Sequence, residues 1–253
     1  MSRIESIFAD GKKKLMPFIV AGDPSLEDTE PVLIALSSAG ADIIEVGIPF
    51  SDPIADGPVI AAAMHRSLER GATPAHAIGM VSRVRSKITT GLIAMVSHSI
   101  VRKSGSTTFI ARLAKAGFDG IIIPDIEDSE AELLSSYCSS RDFSFSMLIA
   151  PTTPIERVKK LASLSSGFLY VLARTGLTGE QEQLPDLQSR IEEIRKVTDL
   201  PLAVGFGISN ANHVSTVLQF ADAAIVGSAL VRQLEDSTNP AEIATNFMQE
   251  ISQ

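Results

Sequence analysis

At 253 residues the chain is long enough for one large α/β domain or two small ones. A net charge of −8 with 45% hydrophobic and 21% charged residues is the balance of a soluble globular protein, and no basic patch suits a phosphate backbone, so nucleic acid is excluded as a partner. The one cysteine, Cys138, allows no intrachain disulfide, the N-terminal MSRIESIFADGKKK lacks the apolar core of a signal peptide, and no apolar run reaches the ~18 residues of a membrane span, so a cytoplasmic protein without membrane association is expected.

In chain order, the basic run of Lys12, Lys13 and Lys14 is expected on a solvated surface before the first strand. Eight short β-rich apolar runs follow, at 15–22, 42–47, 91–96, 120–125, 143–150, 168–173, 201–206 and 223–228. Most are apolar on both faces, as parallel strands covered by other elements are. Helix signals fill the gaps. Ser25 and Asp28 make a capping-box-like start after Pro24. Thr153 reads as an N-cap, with Pro154 first in the helix and Glu156 as capping-box partner. Leu184 to Val197 is amphipathic, with Leu187, Ile191 and Ile194 on one stripe. Pro240 opens a last helix ending near Ile251. No linker or composition shift divides the chain, so residues 1–253 are expected to form a single domain. Eight β–α alternations are the content of a (β/α)₈ TIM barrel. A doubly wound open sheet is the alternative, though it rarely needs eight equivalent units.

In a barrel, chemistry sits at the C-terminal ends of the strands. The second run carries a carboxylate, Glu45, inside apolar sequence, and Asp52 and Asp56 follow closely. Burying a carboxylate costs several kcal/mol unless it is paired or used. An interior acid is expected to titrate high beside a second carboxylate that stays ionised, so Glu45 and Asp56 can divide acid and base roles. The other reading pairs Glu45 with a buried cation and makes Asp52 or Asp56 a helix cap; the spacing leaves both open. A second signal comes from the glycines at Gly205-Phe206-Gly207-Ile208-Ser209 and Val226-Gly227-Ser228, after the seventh and eighth runs, the usual phosphate site of this fold. After the sixth run, ARTGLTGEQEQLP with Gly176 and Gly179 suits a lid. Ordinary βα turns are the plain alternative, but three such loops together favour a phosphate-bearing small molecule. His65, His76 and His213 fall in helical segments. His98, ending the third run, is the better-placed histidine, and Tyr170 can be a core residue. No cluster has metal-ligand spacing, and no base is implied beside Ser228.

At this point the sequence resembles the tryptophan synthase alpha subunit over nearly its whole length. The most specific match is PFSDPIADGP at 49–58 following Glu45. PFIVAGDP (17–24), PD (124–125), RTGLTG (174–179), GFGIS (205–209) and VGSAL (226–230) support it. The resemblance implies retro-aldol cleavage of indole-3-glycerol phosphate to indole and glyceraldehyde 3-phosphate, with no cofactor and no metal. It implies that Glu45 is the general acid/base and that Asp56 holds the indole N–H. Gly179, Gly207, Gly227 and Ser228 match phosphate-binding positions. Phe18 and Tyr170 match the walls of the indole pocket, and Arg174 and Thr178 match the mobile loop. The implied partner is a tryptophan synthase beta subunit in an alpha2beta2 complex, met by the loop around Asp52. The chain departs from the pattern at Val96 and His98, where tyrosine and asparagine are usual, at Glu127 in place of proline, and at Ala173 and Leu177. The strand-3 change is expected to remove polar groups from the pocket and from the partner surface. A weakly catalytic, mainly regulatory subunit and another phosphate-binding barrel isomerase are the alternatives.

Overall fold

The computed structural model describes residues 1–53, 57–173, 187–205 and 207–252. Its strands are β1 (Lys14–Val20), β2 (Ile43–Gly47), β3 (Gly91–Met95), β4 (Gly120–Ile122), β5 (Ser144–Ser146), β6 (Leu148–Ile149), β7 (Leu169–Leu172), β8 (Leu202–Gly205) and β9 (Ala223–Val226). Every pairing is parallel, in the order β5-β4-β3-β2-β1-β9-β8-β7-β6. The two ends of that order, β5 and β6, are halves of the fifth predicted run, interrupted at Met147. The ring therefore closes through the chain itself, and the Met147 carbonyl accepts the Tyr170 N–H at 3.0 Å. Closure excludes the open doubly wound sheet.

The period of two along each strand sorts side chains into two cores. Outward residues such as Ile44, Val46, Leu92, Ala94 and Val204 pack beneath the surrounding helices. Inward residues such as Met16, Ile43, Ile93, Ile122, Phe168 and Ala223 fill the lumen. The N-terminal end of the barrel is plugged by helix Arg3–Phe8, which sends Ile4 and Phe8 into that inner core. A full capping box between Ser2 and Glu5 starts this helix. The S-x-x-E pattern at 2–5 was the available sequence signal. With one end stoppered by apolar side chains, the C-terminal end is left as the accessible one.

Several local expectations shift. Lys14 is not solvated: it opens β1, its side chain is buried, and its ammonium lies 2.8 Å from Asp10. Ser25 and Asp28 do exchange hydrogen bonds, but over a turn, and the regular helix Thr29–Ser38 begins one residue later. Thr153 does not cap its helix. Its hydroxyl accepts from Ala150 N–H, and helix Ile155–Leu164 starts after Pro154. The 184–197 stripe appears as helix Gln188–Arg195 with Ile191 and Ile194 buried, and residues 184–186 lie outside the described residues. The last helix is Pro240–Ile251. No helix among the described residues is long and apolar enough to cross a membrane.

Candidate active site

Glu45 is the middle residue of the five-residue strand β2 and is fully buried, at 0% exposure. Its neighbours in register are Phe18 on β1 and Ile93 on β3. Ile43, two residues earlier, belongs to the inner core, while Ile44 and Val46 belong to the outer one. Alternation therefore turns Glu45 into the lumen, one layer above the apolar plug. A carboxylate is tolerated in such a place when surrounding groups or a ligand compensate its burial.

Two glycines shape the layer above. A Cβ on Gly47 would lie 2.6 Å from Phe18 Cζ, so the Phe18 ring occupies the place of a side chain at the end of β2. A Cβ on Gly205, at the end of β8, would lie 2.3 Å from the Tyr170 hydroxyl. Tyr170 comes from β7 and packs with the inner core while its hydroxyl reaches toward the strand ends. Phe18 and Tyr170 thus form aromatic surfaces where the lumen opens. A Cβ on Gly227 would be 3.4 Å from Phe18 Cβ, so the turn after β9 touches the same ring.

The adjacent strands β8 and β9 end in the predicted anion site. Gly207 has φ +83°, a left-handed conformation that glycine adopts without strain. Gly227 is the N-cap of helix Ser228–Glu235 and has no side chain to satisfy that helix's first N–H groups. Those donors, with the positive end of the helix dipole, are available to an anion. Phe18, Glu45, Tyr170, Gly207, Gly227 and Ser228 are therefore gathered toward one end of the barrel. Asp56, Arg174, Thr178 and Gly179 lie outside the described residues. No three or more His, Cys, Asp or Glu side chains among the described residues are arranged to hold a metal ion.

The departures at the end of the third run fall elsewhere than expected. Val96 packs into the outer core, and the interior residue at this end of β3 is Met95. The substitution therefore leaves the lumen untouched. His98 is not a lumen residue: it opens helix His98–Lys103 and its Nε2 lies 2.7 Å from Glu130. Glu127 is exposed before helix Asp128–Ser139. Asp125, of the PD pair, proves to be a joint. It accepts the His98 N–H at 2.8 Å and the Ser97 hydroxyl at 3.0 Å, tying the ends of β3 and β4 together. Asp52 is exposed in the loop after β2.

A family model described as "Tryptophan synthase alpha chain" matches residues 4–253. The chain belongs to the tryptophan synthase alpha chain family. Among its relatives, the tryptophan synthase alpha chain of Prochlorococcus marinus (strain MIT 9313) is 44% identical over 235 residues, covering 92% of this chain and 86% of that protein. The alpha chain of Rhodopirellula baltica is 40% identical over 245 residues, covering 95% and 88%. Among solved structures, Mycobacterium tuberculosis tryptophan synthase superposes with a TM-score of 0.89 at 29% identity, covering 99% of this chain and 95% of that chain. A mutant tryptophan synthase alpha-subunit from the hyperthermophile Pyrococcus furiosus gives 0.88 at 31%, covering 95% and 98%. A tryptophan synthase alpha chain is a lyase of TIM-barrel fold, and the closed parallel ring agrees with that.

Proposed function

We propose that this chain cleaves indole-3-glycerol phosphate to indole and glyceraldehyde 3-phosphate in tryptophan biosynthesis, with Glu45 as general acid/base and Asp56 as the charge-holding carboxylate. The observation that carries the assignment is Glu45 itself: fully buried, turned into the lumen, and in register with Phe18. Glu45 delivers a proton to ring carbon 3, which makes the ring cationic. Asp56 accepts the indole N–H and opposes that charge. The Glu45 carboxylate so formed takes the proton of the glycerol hydroxyl next to the ring, that oxygen becomes the aldehyde carbonyl as the carbon–carbon bond breaks, and the electron pair of the broken bond returns to the ring. Indole and an aldehyde leave in balance, with no oxidant and no cofactor required.

Phe18 and Tyr170 flank the indole in this reading. The N–H groups at Gly207, Gly227 and Ser228, with Gly179, hold the phosphate. Arg174 and Thr178 belong to the covering loop, whose closure excludes water. General acid–base catalysis of this kind contributes roughly 10²–10⁴-fold, and positioning supplies much of the remainder.

The product indole passes to a beta subunit in an alpha2beta2 assembly. Support comes from the solved M. tuberculosis tryptophan synthase relative and from a groove of about 790 Å³ beside the loop after β2. Phe50, Asp52, Ser97, Ile100 and Lys103 line that groove. Val96, His98 and Glu127, the departures that motivate the regulatory alternative, all lie away from the lumen, which supports the catalytic reading. A steady-state assay of indole release by the purified chain, with and without a beta subunit, tests the proposal. Turnover by the chain that rises with the partner is expected, and no release in either condition overturns it.

A further inference from the structure

On the outside of the barrel, Arg66 joins three segments that each lead to the proposed site. It sits on helix Pro58–Glu69, the helix that starts directly after the Asp56 segment. Its Nε donates to Asp23 Oδ1 at 2.8 Å and its Nη2 to Asp23 Oδ2 at 3.0 Å, a bidentate pair. Its remaining Nη1 donates to Glu235 Oε1 at 2.7 Å. Asp23 lies three residues beyond β1, the strand that carries Phe18, and its side chain is only 2% exposed. Glu235 is the last residue of helix Ser228–Glu235, whose first residue is Ser228. The hydrogen bond to Asp23 holds the Arg66 guanidinium pKa above its ordinary value.

The contacts beneath the ion cluster run the same way. Ser67 donates to the Ala21 carbonyl at 2.6 Å and is fully buried. Ile60, Ala63 and Met64 from one helix and Val231 from the other pack with Phe18 and Val20. The two helices and the end of β1 therefore form one cluster, and Arg66 is the ionic link that spans all three.

We propose that Arg66 is a positioning residue for the carbon–carbon cleavage: its fork fixes the start of helix Pro58–Glu69, which follows Asp56 in sequence, against the phosphate-binding helix and the Phe18 wall. The inference rests on the site reading given above. Arg66 lies eight residues along its helix from Pro58. At 1.5 Å per residue that is a lever of roughly 12 Å, so a tilt of about 5° moves the helix start by about 1 Å. Displacements near 1 Å at a reacting group can cost about 10²-fold in rate. Arginine suits the task where lysine does not, because only the planar fork supplies both bonds to Asp23 and a third to Glu235.

Indole-3-glycerol phosphate cleavage by the full chain with its beta subunit, measured for Arg66→Lys and Glu235→Gln, tests the proposal. Melting curves are recorded on each variant, and Arg83→Gln, which breaks the exposed Arg83–Glu30 pair elsewhere, serves as control. The expected result is a folded Arg66→Lys protein whose kcat falls about tenfold or more while KM stays within about twofold, with a smaller fall for Glu235→Gln and none for the control. A folded Arg66→Lys protein with kcat within about twofold of wild type overturns the proposal. Should Arg66→Lys fail to fold, an unchanged kcat in Glu235→Gln overturns it equally. Glu45→Gln runs in the same assay: if it abolishes cleavage and a folded Arg66→Lys protein stays within about twofold of wild type, the positioning role alone fails, whereas a wild-type chain that cleaves nothing removes the site reading and this inference together.

Discussion

Phe18 and Gly47 share one space at the C-terminal end of the barrel. A Cβ built on Gly47 would stand 2.6 Å from Phe18 Cζ and 3.0 Å from Cε2. The absent side chain on β2 is what lets an aromatic ring from β1 lie beside Glu45. Gly47→Ala is expected to destabilise by about 1–3 kcal/mol through overpacking. For a chain of this size that is a melting-temperature drop of roughly 2–12 °C. Pairing it with Phe18→Leu should recover most of the loss, since the two residues compete for the same volume. A melting-temperature cycle over the two single variants and the double variant checks this; additive losses would contradict the shared space.

Ser228 gives a prediction in which stability and function move in opposite directions. Ser228→Asp puts a carboxylate on the first turn of helix Ser228–Glu235, next to a glycine cap that offers no side chain. A negative charge there favours the helix by about 0.3–1 kcal/mol. The same charge occupies the donors proposed for phosphate. The melting temperature should hold or rise slightly, while KM for indole-3-glycerol phosphate rises about tenfold or more. A variant with unchanged KM would show that the substrate's phosphate binds elsewhere.

The Glu130 cluster sets a pH dependence of stability. The Ser106 hydroxyl, and after it His98, holds the Glu130 carboxyl below its ordinary range, against an opposing effect of desolvation. Glu130 therefore binds a proton less readily folded than unfolded. The stability it contributes is present above the ordinary carboxylate range, near pH 4, and is lost as pH falls through the lower folded value. Glu130→Gln should destabilise at neutral pH, and its difference from wild type should shrink toward zero at about pH 3 and below. Urea denaturation at several pH values measures it.

His98→Asn removes the imidazole bond to Glu130 while keeping the N–H that Asp125 accepts. Hydrogen bonds to a charged group contribute about 1.5–3 kcal/mol, so a loss of that order is expected in chemical denaturation. Because His98 faces Glu130 and not the lumen, kcat without a beta subunit should stay within about twofold. A tenfold fall in kcat would return His98 to the site.

The barrel was legible in the eight apolar runs because parallel strands covered on both faces must be apolar throughout. The break of the fifth run at Met147 was not, since nothing in FSFSMLIA marks the residue at which pairing passes from β4 to β7. Glu45 stood out because a carboxylate in such a run demands a reason. Val96 was misjudged by one position: only the register shows that Met95, not Val96, shares the inner face with Ile93. Asp125 and the Arg66 fork depend on partners tens of residues away in sequence, which no local pattern encodes. Asp56 and Gly179 rest on their sequence positions and on the family resemblance, and Thr178 on the resemblance alone.

The account stands on Glu45, and the substitution Glu45→Gln removes its proton chemistry while keeping its shape. The measurement is indole release from indole-3-glycerol phosphate by the variant, alongside thermal stabilisation by the same substrate to verify binding. The account predicts that binding persists and that turnover falls by about 10²-fold or more. Turnover near the wild-type rate would contradict it.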